Sequence, residues 1–412
     1  MAITTFNSFK NRNYRLYFFG QCLSLIGTWM QKTAVSWVVY TITHSAFMLG
    51  VTVFATQFPQ FLFSLLGGIA SDRYNRYKVL LLTQVLSMVQ AVLVTVLVFS
   101  NHYTVWQILT LSVILGIING FDTPARQPLV HEMITNKAEL PNALALNSSM
   151  NNLARLIGPA LSGIVLVKFG AGACFLLNAV SFLAVIISLL LMKLPPYTPL
   201  VAKKKVVREL EEGFVYVKNT PVIGVLLLML LCMSLFVLPY STLLPVFAKT
   251  IFKGDAATFG YINSFIGLGA VCGAIFLASA KQGADLKFVL FVNTIIFGIC
   301  LMLFSHAAHF AVAMIFAVVI GFGTMSQSTI CNTIVQVNSA QNMRGRVISL
   351  LLMALGVLPI GGLLVGAVGE RIGAPNALLC QGIAAIIIAI IFAKFLTAER
   401  RAKKHTGELK EA

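Results

Sequence analysis

Gly67-Gly68-Ile69-Ala70-Ser71-Asp72-Arg73-Tyr74-Asn75-Arg76-Tyr77-Lys78 begins at the end of one uncharged apolar run, 46–70, and stops where another, 79–100, begins. A helix needs about 20 apolar residues to cross the hydrocarbon core of a bilayer. Each run is therefore a membrane span, and the charged stretch is the turn that joins them at the surface. Gly68, four residues before the Asp72-Arg73 pair, carries no side chain and is expected to let another helix approach closely. Asp72, Arg73, Arg76 and Lys78 place an acid and several bases at one mouth of the bundle.

Outward from this turn the pattern repeats. Apolar runs recur at about 14–42, 46–70, 79–100, 105–130, 143–168 and 171–193, and again at 221–248, 257–280, 286–305, 308–335, 345–369 and 374–397. Twelve spans would use about 240 residues. The chain has 412, of which 58% are hydrophobic and only 10% charged. A soluble domain is about 25% charged, so this chain cannot build the shell a soluble enzyme needs, and fibrous or disordered readings fail with it. The expected fold is an all-α integral membrane protein of twelve transmembrane helices.

The net charge of +17 would ordinarily raise nucleic acid as a partner. Its placement argues otherwise. Of the 30 Lys and Arg, 24 fall in the termini and the loops on one side, four (Lys168, Lys249, Lys253, Arg371) in the opposite loops, and two, Lys32 and Arg155, inside spans. Such asymmetry is an orientation signal and puts both termini in the cytoplasm. The seven cysteines are scattered singly through apolar runs without metal-ligand spacing and read as small buried hydrophobes.

Between the sixth and seventh runs, Pro195, Pro196 and Pro199 stop a helix, and residues 206–218 read as a short amphipathic helix on the membrane surface. Four regions follow: a six-helix bundle over 1–193, a cytoplasmic linker over 194–220, a second bundle over 221–398 and a cytoplasmic tail over 399–412. The bundles look alike. Ser45-Ala46-Phe47-Met48-Leu49-Gly50 parallels Asp255-Ala256-Ala257-Thr258-Phe259-Gly260, and Ile157-Gly158-Pro159-Ala160-Leu161-Ser162-Gly163 parallels Val357-Leu358-Pro359-Ile360-Gly361-Gly362-Leu363, at offsets of 210 and 200 residues. Two pseudo-symmetric halves are the layout of a rocking transporter with its substrate site between them.

The turn at 67–78 resembles the signature of the major facilitator superfamily, G-x-L-x-D-R-x-G-R-K. Gly68, Asp72, Arg73 and Arg76 match; Ala70, Asn75 and Tyr77 depart from it. Asn75 replaces a glycine but tolerates a left-handed turn. The resemblance implies that Asp72 caps the eleventh helix, near Val347, and that Arg76 pairs with Asp122 of the fourth. Asn119-Gly120-Phe121-Asp122-Thr123-Pro124-Ala125-Arg126, Gln31-Lys32-Thr33-Ala34-Val35-Ser36-Trp37 and Arg344-Gly345-Arg346-Val347 look like the branch of the superfamily that holds the enterobactin exporter and other transmembrane secretion effectors. Gly158-Pro159-x-x-Ser162-Gly163 resembles the fifth-helix element the superfamily associates with antiport and export, with Ser162 in place of a glycine. Tight helix packing is the rival explanation for those small residues.

Ionisable residues inside spans are functional suspects. Asp122 is the acid clearly inside one, with Arg126 one turn on, and reads as a gate partner or as a proton carrier. Arg155 lies about 18 Å into the fifth helix; with Lys32 it would favour an anionic substrate group, unless Lys32 snorkels to the interface and Arg155 bonds to helix carbonyls or Asp122. Spans one, four, seven and ten line the pathway in this superfamily, which nominates Trp29, Gln31, Trp37, Asn119, Tyr240, Thr242, Gln327, Asn332 and Gln336. Polar groups beside aromatics suit an amphipathic ligand, and Asn and Gln equally bond helix to helix.

The expected function is secondary transport: proton-coupled export, by alternating access, of an amphipathic and in one reading anionic small molecule such as a siderophore or drug. Uptake by the same fold is the nearest alternative, and a lipid-acting membrane enzyme a more distant one. No GxxxxGK[ST] loop points to ATP, and no HExxH or carboxylate pair points to hydrolysis. The expected partners are the substrate and membrane lipid, with no cofactor, no metal and no nucleic acid, for a monomer in a bacterial inner membrane.

Overall fold

Ser45 and Asp255, which open the two parallel stretches, are helix N-caps. Ser45 Oγ accepts the Met48 amide at 3.2 Å and Asp255 Oδ1 accepts the Thr258 amide at 3.0 Å. Each satisfies an amide that a helix start leaves without a partner. The computed structural model describes residues 4–134, 136–194, 206–279 and 285–411, and these are helical almost throughout. In chain order the helices are α1 (Arg12–Thr43), α2 (Ala46–Arg73), α3 (Arg76–Phe99), α4 (Val105–Met133), α5 (Leu140–Leu190), α6 (Val206–Lys218), α7 (Pro221–Ile251), α8 (Ala256–Ala278), α9 (Leu286–Ser305), α10 (Phe310–Asn338), α11 (Arg344–Ile372) and α12 (Ala374–Glu411).

Among the described residues ten stretches are long and apolar enough to cross a membrane. One of them, Lys137–Leu190, has 54 residues, roughly 80 Å of helix at 1.5 Å per residue and far more than one crossing needs. It breaks at Gly170, whose φ of 80° and ψ of 177° only glycine adopts easily. The two arms, 140–169 and 171–190, are separate spans. α1 has the length, 32 residues, but dilutes its apolar surface with Gln21, Ser24, Gln31 and Thr33, all buried against neighbouring helices. With α1 and both arms of α5 the spans number twelve.

Two compact units form: Met1–Lys203 with Leu244–Gly267, and Lys204–Leu243 with Leu268–Ala412. The second part of α7 and the first part of α8 thus pack with the first unit. α7 changes character where the units divide, passing through a 3-10 turn at Leu238–Leu243 and a π turn at Phe247–Ile251 around Pro239 and Pro245.

Each unit repeats one packing motif. In the first, the proline-glycine element of α5 lies on α1, where a Cβ at Gly158 would stand 2.5 Å from the Trp29 Cβ. In the second, the matching element of α11 lies on α7, where a Cβ at Gly361 would stand 2.5 Å and 2.6 Å from the Leu235 and Ser234 carbonyls. In both units a glycine of this element lies close against another helix, at different positions of the element.

Pro195, Pro196 and Pro199 lie outside the described residues. Beyond them α6 is tied to its own unit: Glu212 pairs with Arg346 at 2.5 Å, and the Tyr216 hydroxyl accepts the Ala340 amide at 3.0 Å. All seven cysteines are free thiols.

Candidate functional site

The α2–α3 turn is built by Asn75. Its Oδ1 accepts the Tyr77 and Lys78 amides at 3.0 and 3.4 Å, which caps α3. Its φ of −61° is ordinary, so the left-handed turn expected there does not form. The expected pair of Arg76 with Asp122 does not form either. Arg76 Nη1 meets Glu132 at 2.8 Å, and its other nitrogen meets Asp72 at 3.7 Å. The reason is depth: Arg76 starts α3 and Glu132 ends α4, whereas Asp122 lies ten residues, about 15 Å, further along α4. Close approach of a neighbouring helix falls to Gly67 and not to Gly68. A Cβ on Gly67 would collide with the Gly120 carbonyl, while one on Gly68 meets nothing within 4 Å. Asp72 and Arg73 are exposed at the turn.

Asp122 is 3% exposed and its carboxylate is fully engaged. Oδ1 accepts from Thr83 Oγ1 at 2.9 Å and from Gln84 Nε2 at 2.6 Å, and Oδ2 pairs with Arg126 one turn along α4. Two helices thus supply three donors to one buried acid. A charge taken out of water is tolerable only with such partners.

The α5 element brings three elements together inside the first unit. Gly158 seats Trp29 of α1. Ser162, fully buried, donates to the Met30 carbonyl at 3.1 Å. Gly163 faces α8: a Cβ there would stand 2.9 Å from the Ala256 carbonyl, and one on Gly260 would stand 2.6 Å from the Pro159 carbonyl. Ser264 donates to the Leu156 carbonyl at 2.9 Å. At the far end of α1, Trp37 stacks on Phe259 with centroids 6.0 Å apart, Lys249 Nζ lies 5.8 Å from the Trp37 ring, and the hydroxyls of Tyr40 and Thr250 lie 2.7 Å apart. Trp37 therefore makes interhelical contacts at this end of α1.

Lys32 and Arg155 meet on one indole. Lys32 Nζ is 4.9 Å and Arg155 Cζ is 5.8 Å from the centroid of the Trp29 ring. Lys32 is exposed and Arg155 half-buried, and among the described residues neither has a carboxylate in ion-pair range. Arg155 does not reach Asp122, whose partners come from α3 and α4.

The remaining nominated residues divide. Gln31 is bound on both sides, donating to Gln90 Oε1 at 3.1 Å and accepting from Asn178 Nδ2 at 2.6 Å; its amide joins α1, α3 and the second arm of α5. Gln327 accepts from Thr294 Oγ1 at 2.9 Å, and Tyr240 shares a 3.3 Å contact with the Thr324 hydroxyl and lies edge-on to Phe297. These three are buried interhelical contacts. Asn332 accepts from Gln336 at 3.2 Å along its own helix, and Asn119, like Asn332, is half-buried. Sequence reasoning passed over Glu132, Thr83 and Gln84. A signal for Glu132 existed, since it lies at the last turn of α4, level with the start of α3.

Twelve spans, with a charged turn between the second and third and a glycine-proline element in the fifth, define a multi-pass membrane transporter. The chain belongs to the transmembrane secretion effector family, which it matches over residues 3–409. It is 26% identical over 389 residues to the staphyloferrin A transporter of Staphylococcus aureus, covering 91% of this chain and 94% of that protein. It is 24% identical over 407 residues to the enterobactin exporter of Escherichia coli O81, covering 94% and 92%. Its backbone matches the nucleoside transporter NupG with a TM-score of 0.72 at 13% identity, over 93% of this chain and 99% of that one, which shows the major facilitator fold. The protein is a transporter and not an enzyme.

Proposed function

We propose that this protein exports an amphipathic small molecule from the cytoplasm by alternating access, as a monomer driven by the proton gradient. The observation that carries the reading is the contact of Gly163 with Gly260, backed by Ser264 on Leu156 and by Trp37 on Phe259. Helices that meet backbone to backbone can part and close again without rearranging side chains between them. Such a seal at one end of a unit is what a transporter needs in one of its two access states. The split of 24 basic residues against four supports cytoplasmic termini, and the likeness to an enterobactin exporter supports the outward direction. Asp122 supplies a group that a proton could discharge. Neutralising it would release Arg126 and loosen the grip of α4 on α3, which joins the gate and proton readings in one switch.

The test is transport in everted membrane vesicles, with enterobactin as the probe. Uptake that stops when nigericin collapses the pH gradient is expected. Accumulation in right-side-out vesicles instead would make the protein an importer, and transport indifferent to nigericin would remove the proton. Asp122→Asn should abolish gradient-driven movement and leave exchange of labelled for unlabelled probe.

A further inference from the structure

Three residues on two helices, each named as a candidate from the sequence, are brought together at one place. Trp29 and Lys32 are three residues apart on one face of α1, and Arg155 lies one turn before Gly158 on α5. The absent side chain of Gly158 lets the Trp29 stem settle onto α5, and this brings the Arg155 guanidinium to the ring that already carries the Lys32 ammonium. The two positive groups are therefore separated by no more than the sum of their distances to one ring. Both lie inside spans, where ionisable groups ordinarily pair with one another or line a path for polar solutes. A ring face attracts each cation but cannot neutralise two that repel. Asp122, the buried acid of this unit, is held by Arg126, Thr83 and Gln84.

We infer that Lys32, Arg155 and Trp29 bind the substrate, and that the substrate is a small polycarboxylate: at least two carboxylates beside an apolar or aromatic portion. Arg155 offers a planar fork that takes one carboxylate through two parallel bonds. Lys32 offers a mobile point charge for a second carboxylate, and the Trp29 face takes the apolar portion. One carboxylate would leave one cation unpaired, so the site selects for more than one negative charge and against cations. The inference rests on the export reading for its direction and deepens it by naming the substrate class.

The experiment is calorimetric titration of the full chain, in nanodiscs of phosphatidylcholine, with citrate as the probe. Citrate is expected to bind and its neutral trimethyl ester is not, a comparison made entirely on the unaltered protein. Lys32→Gln and Arg155→Gln should each weaken citrate about tenfold or more, the size of one lost charge-assisted hydrogen bond, and Lys32→Arg should retain most of the affinity. Equal binding of citrate and its ester, or citrate affinity unchanged in both Gln variants, would overturn the site. Tighter binding of soluble dihexanoyl phosphatidylglycerol than of citrate would hand the pair to a lipid headgroup and also overturn it. Everted-vesicle transport of enterobactin is scored separately. If that probe still moves while citrate does not bind, export stands and the polycarboxylate falls.

Discussion

The first unit holds two charged places inside its spans and treats them in opposite ways. Asp122 and Arg126 are closed off, with donors from α3 completing the acid. Among the described residues, Lys32 and Arg155 meet an aromatic ring and no carboxylate. Ionisable groups inside spans ordinarily pair with one another or line a path for polar solutes, which is the ground for proposing a ligand between Lys32 and Arg155. The closed pair is the one we propose for stability and switching, and the open pair the one we propose for a ligand.

The sharpest way to break this contrast is to remove the acid. Asp122→Ala leaves the half-buried Arg126 without its partner, and breaking such a pair from one side costs at most about 3–5 kcal/mol, the range for fully buried pairs. The purified protein should lose many degrees of Tm. Asp122→Asn with Arg126→Gln removes both charges and should recover most of the loss. An Asp122→Ala protein that melts like the parent would place the pair with the open one.

Next in size is Gly158→Val. The new side chain begins 2.5 Å from the Trp29 stem, and overpacking of this kind costs about 1–3 kcal/mol. It should also move the indole away from Arg155, so citrate affinity should fall along with Tm. Lost stability with unchanged citrate binding would uncouple α1–α5 packing from the ligand.

What could be read from the chain alone divides along the same physical line. The spans were legible because apolar runs of spanning length are local features. That Lys32 and Arg155 lie inside spans where acids are few was legible; whether Arg155 meets Asp122 was left open. Their meeting on Trp29 was not legible, since it depends on how α1 rests on Gly158. Successive helix positions are rotated by about 100°, so choosing between Gly67 and Gly68 needs the neighbour in place. Gln31 and Gln327 could equally have served a ligand or another helix, and only their hydrogen bonds decide. Arg76 was misassigned because the resemblance named an acid on the right helix at the wrong depth.

That last point gives a smaller effect to measure. Arg76 and Glu132 are partly exposed, and such ion pairs contribute about 0.2–1 kcal/mol. A double-mutant cycle with Arg76→Gln and Glu132→Gln should show a coupling in that range by thermal unfolding, whereas the cycle of Arg76→Gln with Asp122→Asn should show none. Coupling in the second cycle alone would restore the expected pair.

The smallest expected change is the one whose sign matters most. In the absence of substrate, Lys32→Gln or Arg155→Gln removes one of two like charges gathered on Trp29, so either variant should melt at or slightly above the parent's Tm. At saturating citrate the order should reverse, because ligand binding stabilises a protein in proportion to the logarithm of its concentration over Kd, and only the parent binds tightly. Sites kept for function at the expense of stability behave in this way. Asp122 and Arg126 should show no such crossing with citrate. A fall in Tm for Lys32→Gln without ligand would mean that the fold already balances that charge, and the two places would then differ only in depth.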